Sequence, residues 1–168
     1  MTMVQLNRTT RDALVIGIIG FCSVAVFYAI FDLLAARGAL YTVDLLGKAL
    51  FRGLRDPAVL ALPMDLDLRV IFWYSAVHLF VSILVGFVVA SLLEHSERKP
   101  SQARFIFGII VSGFVVTIVA VSMLTTSIRL LLPWWSIVAA NAFAVLMAGS
   151  YLLRRRPDIQ RMLSALKG

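Results

Sequence analysis

The sequence is short of the residues that carry redox and metal chemistry in membranes. Its 168 residues include one cysteine and two histidines. Cys22 alone cannot form an internal disulfide or a cysteine metal cluster. A quinone-linked disulfide oxidoreductase is therefore excluded, because it needs paired cysteines. A di-haem b-type cytochrome is excluded as well, since it needs four histidines within helices and only His78 lies inside an apolar run.

Acidic residues are almost absent from the four long apolar runs. The exception is Asp32, near the end of the first run. We expect it to form an ion pair with Arg37 at headgroup level; with the helix shifted outward, it would instead be a buried carboxylate for cation or proton coupling. A small multidrug exporter requires a carboxylate deep in a helix, and the apolar runs contain none at that depth. Phosphate-binding loops and the HExxH and GxSxG motifs are also absent, so we expect a protein that is not an enzyme.

Apolar residues are present in large excess. They make up 61% of the chain, against roughly 45–50% in soluble domains, and the mean hydropathy is +0.93. Because a bilayer core needs about 20 mainly apolar residues per helix, the chain is predicted to be an all-α integral membrane protein, a four-transmembrane-helix up-down bundle. The predicted helices span residues 13–36, 70–93, 105–132 and 134–153.

Basic residues are distributed unequally between the two predicted sides of the membrane. Ten of the sixteen Lys and Arg lie in the N-terminal arm 1–12, the second connection and the tail 154–168, whereas the outer side, with its loop 37–69, holds six. The positive-inside rule therefore predicts a multi-pass protein with both termini in the cytoplasm, and a bacterial inner membrane is the expected location. The net charge of +7 sits between apolar runs, which does not indicate nucleic-acid binding. We expect contacts with anionic lipid headgroups at three residues that follow the fourth helix, Arg154, Arg155 and Arg156.

The first apolar run has a second interpretation, a cleaved signal peptide. Arg8 and Arg11 precede it, and Ala35-Ala36 resembles a cleavage site. Its apolar stretch is longer than the 7–15 residues typical of a signal peptide, which favours a membrane helix.

The outer loop 37–69 contains a predicted short amphipathic helix that lies in the membrane interface. Asp44 and Lys48 are spaced to form an i,i+4 ion pair, and Asp65 or Asp67 can cap the second transmembrane helix. The loop is either a lid over the bundle or a docking surface for a partner subunit. Its apolar residues at helical spacing are Val43, Leu46, Leu50, Phe51 and Leu54.

Small residues predict the faces through which the helices pack, because helices in lipid associate where their backbones approach closely. Gly17 and Gly20 mark the first helix and Gly108 and Ser112 the third. We expect the amide of Asn141 to hydrogen-bond to a neighbouring helix. A membrane-protein partner or a homo-oligomer would use the same kind of face. The other predicted packing residues are Ser82, Gly86 and Ala90 in the second helix and Ser136, Ala140, Ala144 and Ala148 in the fourth.

His78 is the candidate cofactor-binding residue, since ionisable groups within membrane helices are costly. It would serve as an axial ligand to a haem or chlorophyll, or as a proton relay. The alternative is a neutral histidine that is bonded across the bundle, which is favoured because no partner histidine exists. His95 is predicted to lie on the opposite side of the membrane. The sequence requires no cofactor and no metal.

Two function classes follow. The first is a non-enzymatic accessory, assembly or scaffolding component of a membrane complex. The alternative is a cofactor-binding membrane subunit that uses His78, or a small transporter that uses Asp32 and Asn141.

Overall fold

The chain forms helices joined by short connections. The computed structural model describes the backbone of residues 3–156 and the side chains of 8–102, 104–123 and 125–156. No β-strand occurs within these residues. The rest of the predicted basic tail, 157–168, lies outside them. The α-helices are α1 (Met3–Leu34), α2 (Tyr41–Gly47), α3 (Pro57–Leu60), α4 (Leu68–Arg98), α5 (Ala103–Leu124) and α6 (Trp134–Arg155).

Four of these helices are long and apolar enough to cross a membrane, namely α1, α4, α5 and α6. They coincide with the four predicted runs, but their ends differ. Helix α1 begins at Met3, so most of the predicted N-terminal arm is helical. Helix α4 begins at Leu68 and continues to Arg98, beyond both predicted ends.

The third long helix ends earlier than predicted, at Leu124 instead of residue 132. The hydroxyl of Thr125 donates to the carbonyl of Val121 at 3.0 Å, and that of Thr126 donates to Met123 at 2.9 Å. A 3-10 turn over Thr126–Ile128 follows. Threonine hydroxyls offer the backbone an alternative to helical hydrogen bonds, and this is the physical reason for the early end.

The tightest helix contact joins α1 to α4 through two glycines. A Cβ on Gly86 would lie 2.2 Å from the carbonyl oxygen of Ala13, and a Cβ on Gly17 would lie 2.6 Å from Cα of Ile83. Ala90, one turn beyond Gly86, is fully buried in the same contact. Because no side chain intervenes, the two backbones touch, as small residues allow in membrane helices.

Helix α6 also packs against α1. Ser136 and Ala140 are completely buried, whereas Ala144 and Ala148 are half-buried. The hydroxyls of Ser136 and Tyr28 lie 3.5 Å apart. The expectation for Asn141 is wrong, since its amide donates to the carbonyl of Ile137 in its own helix at 2.8 Å. The physical reason is that a short polar side chain in a helix can reach the backbone carbonyl one turn earlier.

Helix α5 lies at the periphery. Its contacts with α4 and α6 are far less extensive than those of α1 with the same two helices. Gly108 and Ser112, the expected packing residues of this helix, are exposed. Nothing among the described residues lies within 4 Å of a Cβ built on Gly108 or Gly113. The core is therefore α1 packed against both α4 and α6, with α5 attached beside it.

Substitution of Gly86 by Ala tests the α1–α4 contact. The new Cβ would meet a backbone carbonyl at 2.2 Å, and such overpacking lowers the free energy of unfolding by about 1–3 kcal/mol. Reversible denaturation in mixed micelles measures this change. Gly20→Ala is the matched control, because its Cβ would meet nothing within 4 Å and alanine favours helix by about 1 kcal/mol. Equal stability of the two variants would contradict the contact.

Candidate functional site

A buried ionic cluster joins three helices at the end of the molecule where α1 begins. It consists of Asp12, Glu97, Tyr151 and Arg156 and is called the terminal cluster. Nε and Nη2 of Arg156 donate to Oδ2 of Asp12 at 3.0 and 2.8 Å, and Nη1 donates to Oε1 of Glu97 at 3.0 Å. The Tyr151 hydroxyl donates to the other oxygen of Asp12 at 3.4 Å. Both Asp12 and Arg156 are only 1% exposed.

Helix ends bring these residues together. Asp12 precedes the apolar run of α1, Glu97 lies in the last turn of α4, and Arg156 follows the last residue of α6. The backbone N–H of Arg156 still donates to Leu152 at 2.8 Å, so the last turn of α6 positions its side chain. Buried charges persist only when they are paired and hydrogen-bonded. The cluster therefore fixes how the ends of α1, α4 and α6 are placed relative to one another.

The three arginines after α6 differ in their surroundings. Arg154 and Arg155 are exposed. The expectation that Arg156 contacts anionic headgroups is not met, because its guanidinium is enclosed by Asp12 and Glu97. Arg156 binds the carboxylate of Asp12 instead of lipid, and the spacing of residues along the chain does not reveal a partner 144 positions away.

A small pocket opens beside the terminal cluster. Glu94 accepts hydrogen bonds from the Thr9 hydroxyl and from the guanidinium of Arg98. The pocket has a volume of about 220 Å³. Its lining residues are Arg8, Thr9, Glu94, Glu97, Arg98 and Arg156.

A second polar cluster lies at the opposite end and is called the loop cluster; it consists of Asp32, Thr42, Asp44 and Lys48. Both carboxylates are fully buried. Asp32 accepts from the backbone N–H and the hydroxyl of Thr42, each at 2.7 Å. Lys48 Nζ lies 2.7 Å from Asp44, and the backbone N–H of Asp67 donates to the other oxygen of Asp44 at 3.1 Å. These bonds fasten the segment between α1 and α4 to the end of α1 and the start of α4.

The predicted ion pair of Asp32 with Arg37 is wrong. Thr42 occupies both oxygens of Asp32, and Arg37 donates to the carbonyl of Leu131 at 2.7 Å. Its guanidinium also lies over the rings of Phe31 and Tyr41, at 5.7 and 5.3 Å from their centroids. Aromatic faces attract a guanidinium, so Arg37 has partners other than the carboxylate.

The loop segment carries the predicted helix in an unexpected orientation. It is formed by α2 and a π-helical turn, Lys48–Arg52, which ends at Gly53 with a φ of 65°. The predicted Asp44–Lys48 pair is confirmed, but it faces the protein, whereas Leu50 and Phe51 are about half exposed. The inward side therefore carries the Asp44–Lys48 pair together with the buried apolar residues Tyr41, Leu45 and Ala49, whereas Leu50 and Phe51 point away from the core.

Asp67 is the cap of α4. Its Oδ1 accepts from the backbone N–H groups of Arg69 and Val70 at 3.1 and 3.2 Å, which confirms one of the two predicted caps. A hydrogen bond from Arg52, at 2.9 Å, and these N–H donors hold the pKa of Asp67 below its usual range. The carboxylate thus stays charged, and a charged cap suits the positive end of a helix.

His78 lies between aromatic rings in the middle of α4. Its ring centroid is 5.3 Å from that of Phe21 in α1 and 6.1 Å from that of Tyr74. Its side chain makes no hydrogen bond to any described residue, including Ser75 and Ser82. In the ranges 8–102, 104–123 and 125–156, no group of three or more His, Cys, Asp or Glu could hold a metal ion. His78 is thus one aromatic partner in the α1–α4 contact.

Comparison with known proteins found no matching family model, no matching curated protein and no matching solved structure.

Replacing Arg156 by Met tests the terminal cluster. The change removes the guanidinium that donates two hydrogen bonds to the buried Asp12 and leaves it with Arg11 at 3.9 Å and Tyr151 at 3.4 Å. Loss of one member of a buried pair lowers the free energy of unfolding by about 3–5 kcal/mol. Denaturation in mixed micelles measures the loss. Arg155→Met is the matched control, because Arg155 is exposed, and it should change stability by less than about 0.5 kcal/mol. The double variant Asp12→Asn/Arg156→Met should regain part of the loss; no recovery would contradict the pairing.

Proposed function

We propose that this chain is an integral membrane protein that spans the bilayer through α1, α4, α5 and α6. Large apolar side chains are exposed along all four helices, including Ile30, Phe80, Val116 and Leu146. In water such a surface would be an aggregation liability, whereas in lipid it is the expected outer surface. The excess of Lys and Arg in the arm, the second connection and the tail supports cytoplasmic termini, with α2 and α3 on the outer side.

Cysteine labelling tests this topology. In a Cys22→Ser background, Arg55→Cys and Ser101→Cys place single thiols at exposed positions in the loop before α4 and in the connection after it. In right-side-out membrane vesicles, a membrane-impermeant maleimide should label Arg55→Cys directly and Ser101→Cys only after permeabilisation. The reverse pattern would contradict the orientation. Release of the protein from membranes by alkaline carbonate would contradict insertion itself.

Within the membrane, the function that the geometry supports best is that of an accessory or scaffolding subunit that binds a transmembrane helix of a partner protein. The observation that carries this proposal is the exposed face of α5. A shallow apolar groove of about 520 Å³ runs along it. The residues that line it are Phe105, Gly108, Ile109, Ser112, Gly113 and Val116.

The groove has the composition of a helix-packing surface. Two of its glycines have open space where a Cβ would stand, so a second backbone can approach closely. The same chain uses glycine in this way between α1 and α4, where Gly17 and Gly86 bring two backbones into contact. A partner helix can make close van der Waals contacts with the backbone at such a surface, and small residues favour this helix–helix packing over contact with lipid chains.

Polar clusters occupy both ends of α1, and the small-residue faces of α1, α4 and α6 are used within the chain. Among the described residues, no group of three or more His, Cys, Asp or Glu could hold a metal ion. This distribution supports a binding role and leaves α5 as the surface through which it would act.

Leucine in the groove tests the proposal. Gly108→Leu fills the space into which a partner backbone would fit, so a gently solubilised native complex should lose its partner, with the chain then migrating alone in native electrophoresis. Val111→Leu is the matched control, because Val111 is exposed on α5 outside the groove, and it should leave the complex intact.

Two results would redirect the proposal. A complex of unchanged composition in Gly108→Leu would contradict a partner at this groove, and a complex containing only this chain would show a homo-oligomer instead. A haem or chlorophyll absorbance in the same preparation, lost in His78→Ala, would favour the cofactor-binding function.

A further inference from the structure

The pocket beside the terminal cluster lies where three membrane spans end. Arg8 begins the apolar span of α1, Arg98 is the last residue of α4, and Arg156 follows α6. In a chain inserted as proposed, this is the depth of the lipid headgroups on the side of the termini. The volume of about 220 Å³ is smaller than the roughly 300–1,000 Å³ of drug-sized sites, which suits a headgroup more than a large metabolite.

The polar groups of the pocket are only partly used by one another. Each of the three side-chain nitrogen atoms of Arg156 donates to Asp12 or Glu97. Arg98 donates to Glu94 through one of its nitrogen atoms, Nη2, although a guanidinium has five N–H donors. Glu97 accepts from Arg156 at Oε1 only, and its Oε2 has no partner among the residues described. The pocket therefore offers donors from Arg8 and Arg98 and one carboxylate acceptor from Glu97.

The charges decide which headgroup fits. Arg156 is balanced by the buried Asp12, which leaves two arginines and two glutamates around the opening. A purely anionic ligand would bind the arginines but would also face Glu94 and Glu97. A ligand that carries both signs matches both pairs, as electrostatic complementarity requires.

We propose that this pocket binds the headgroup of a zwitterionic phospholipid that has a primary ammonium group. The phosphate diester accepts hydrogen bonds from Arg8 and Arg98, which recognise phosphate well. The ammonium donates to the free oxygen of Glu97, a contact that a quaternary ammonium cannot make because it has no N–H. The inference rests on the proposed membrane insertion and not on a partner at α5.

Native mass spectrometry of the full-length, delipidated protein tests the proposal. The probes are phosphatidylethanolamine, phosphatidylcholine and phosphatidylglycerol with identical acyl chains. Phosphatidylethanolamine should bind about tenfold more tightly than phosphatidylcholine, which corresponds to one charge-assisted hydrogen bond. Equal binding of these two lipids, or tightest binding of phosphatidylglycerol, would overturn the proposal.

Two variants separate the parts of the site. Glu97→Gln should remove the preference for phosphatidylethanolamine, whereas Asp56→Asn, a carboxylate-to-amide change in the outer loop, should keep it. Arg8→Gln should weaken binding of both zwitterionic lipids, and Arg155→Gln should not. Arg8→Gln leaves the ion pairs of Arg156 in place, so it reports binding even if Glu97→Gln is unstable. An Arg8→Gln variant that binds both lipids like the wild type would also overturn the proposal.

Alkaline carbonate extraction of membranes distinguishes a failure of the headgroup site from a failure of membrane insertion. A protein that stays in the membrane but shows no lipid preference refutes the headgroup site alone. A protein that is extracted refutes membrane insertion, and with it the premise of the headgroup site.

Discussion

The direct contact between the backbones of α1 and α4 sets the geometry of everything around it. Gly17 and Gly86 leave no side chain between the two helices, so their relative position is fixed by steric exclusion. As a result Thr9 meets Glu94 at one end, and Phe21 meets His78 nearer the middle. The two helices therefore run antiparallel. A wider separation of the two helices would move Glu94 away from Thr9 in α1 and would shift Glu97 relative to Arg156, which follows α6.

The ends of the core depend on a different interaction, the enclosure of charge. Asp12, Asp32 and Asp44 are almost completely buried. They accept hydrogen bonds from Arg156, Thr42 and Lys48, respectively. Such pairs add little net stability compared with apolar packing, but they penalise any arrangement in which a partner is missing. The apolar middle thus provides attraction, and the polar ends specify which helices meet and where the loop attaches.

The sequence predicted the helices well and their polar contacts poorly. Apolar runs, the Asp67 cap and the Asp44–Lys48 pair depend on spacing within a few residues, which periodicity reveals. The partners of Arg156, Arg37 and Asp32 could not be found this way. Asp12 and Arg156 are 144 positions apart. Arg37 contacts two aromatic rings and a carbonyl group instead of the nearest carboxylate. A single acid directly before an apolar run, as Asp12 is, does indicate a charge that needs a partner when it is buried.

Helix α5 shows why small residues alone do not identify a contact within a chain. Gly108 and Ser112 resemble the packing residues of α4 and α6, yet they are exposed. The difference lies in the neighbours of α5. Helices α4 and α6 already pack their small-residue faces against α1, and buried ion pairs lie at both ends of the core. Removing α5 from such a core would expose few polar groups, because only one of its described residues is buried. Because α5 has few contacts with its own chain, it can adjust to a second helix without disturbing α1, α4 and α6, and the proposed binding of a partner helix requires this freedom.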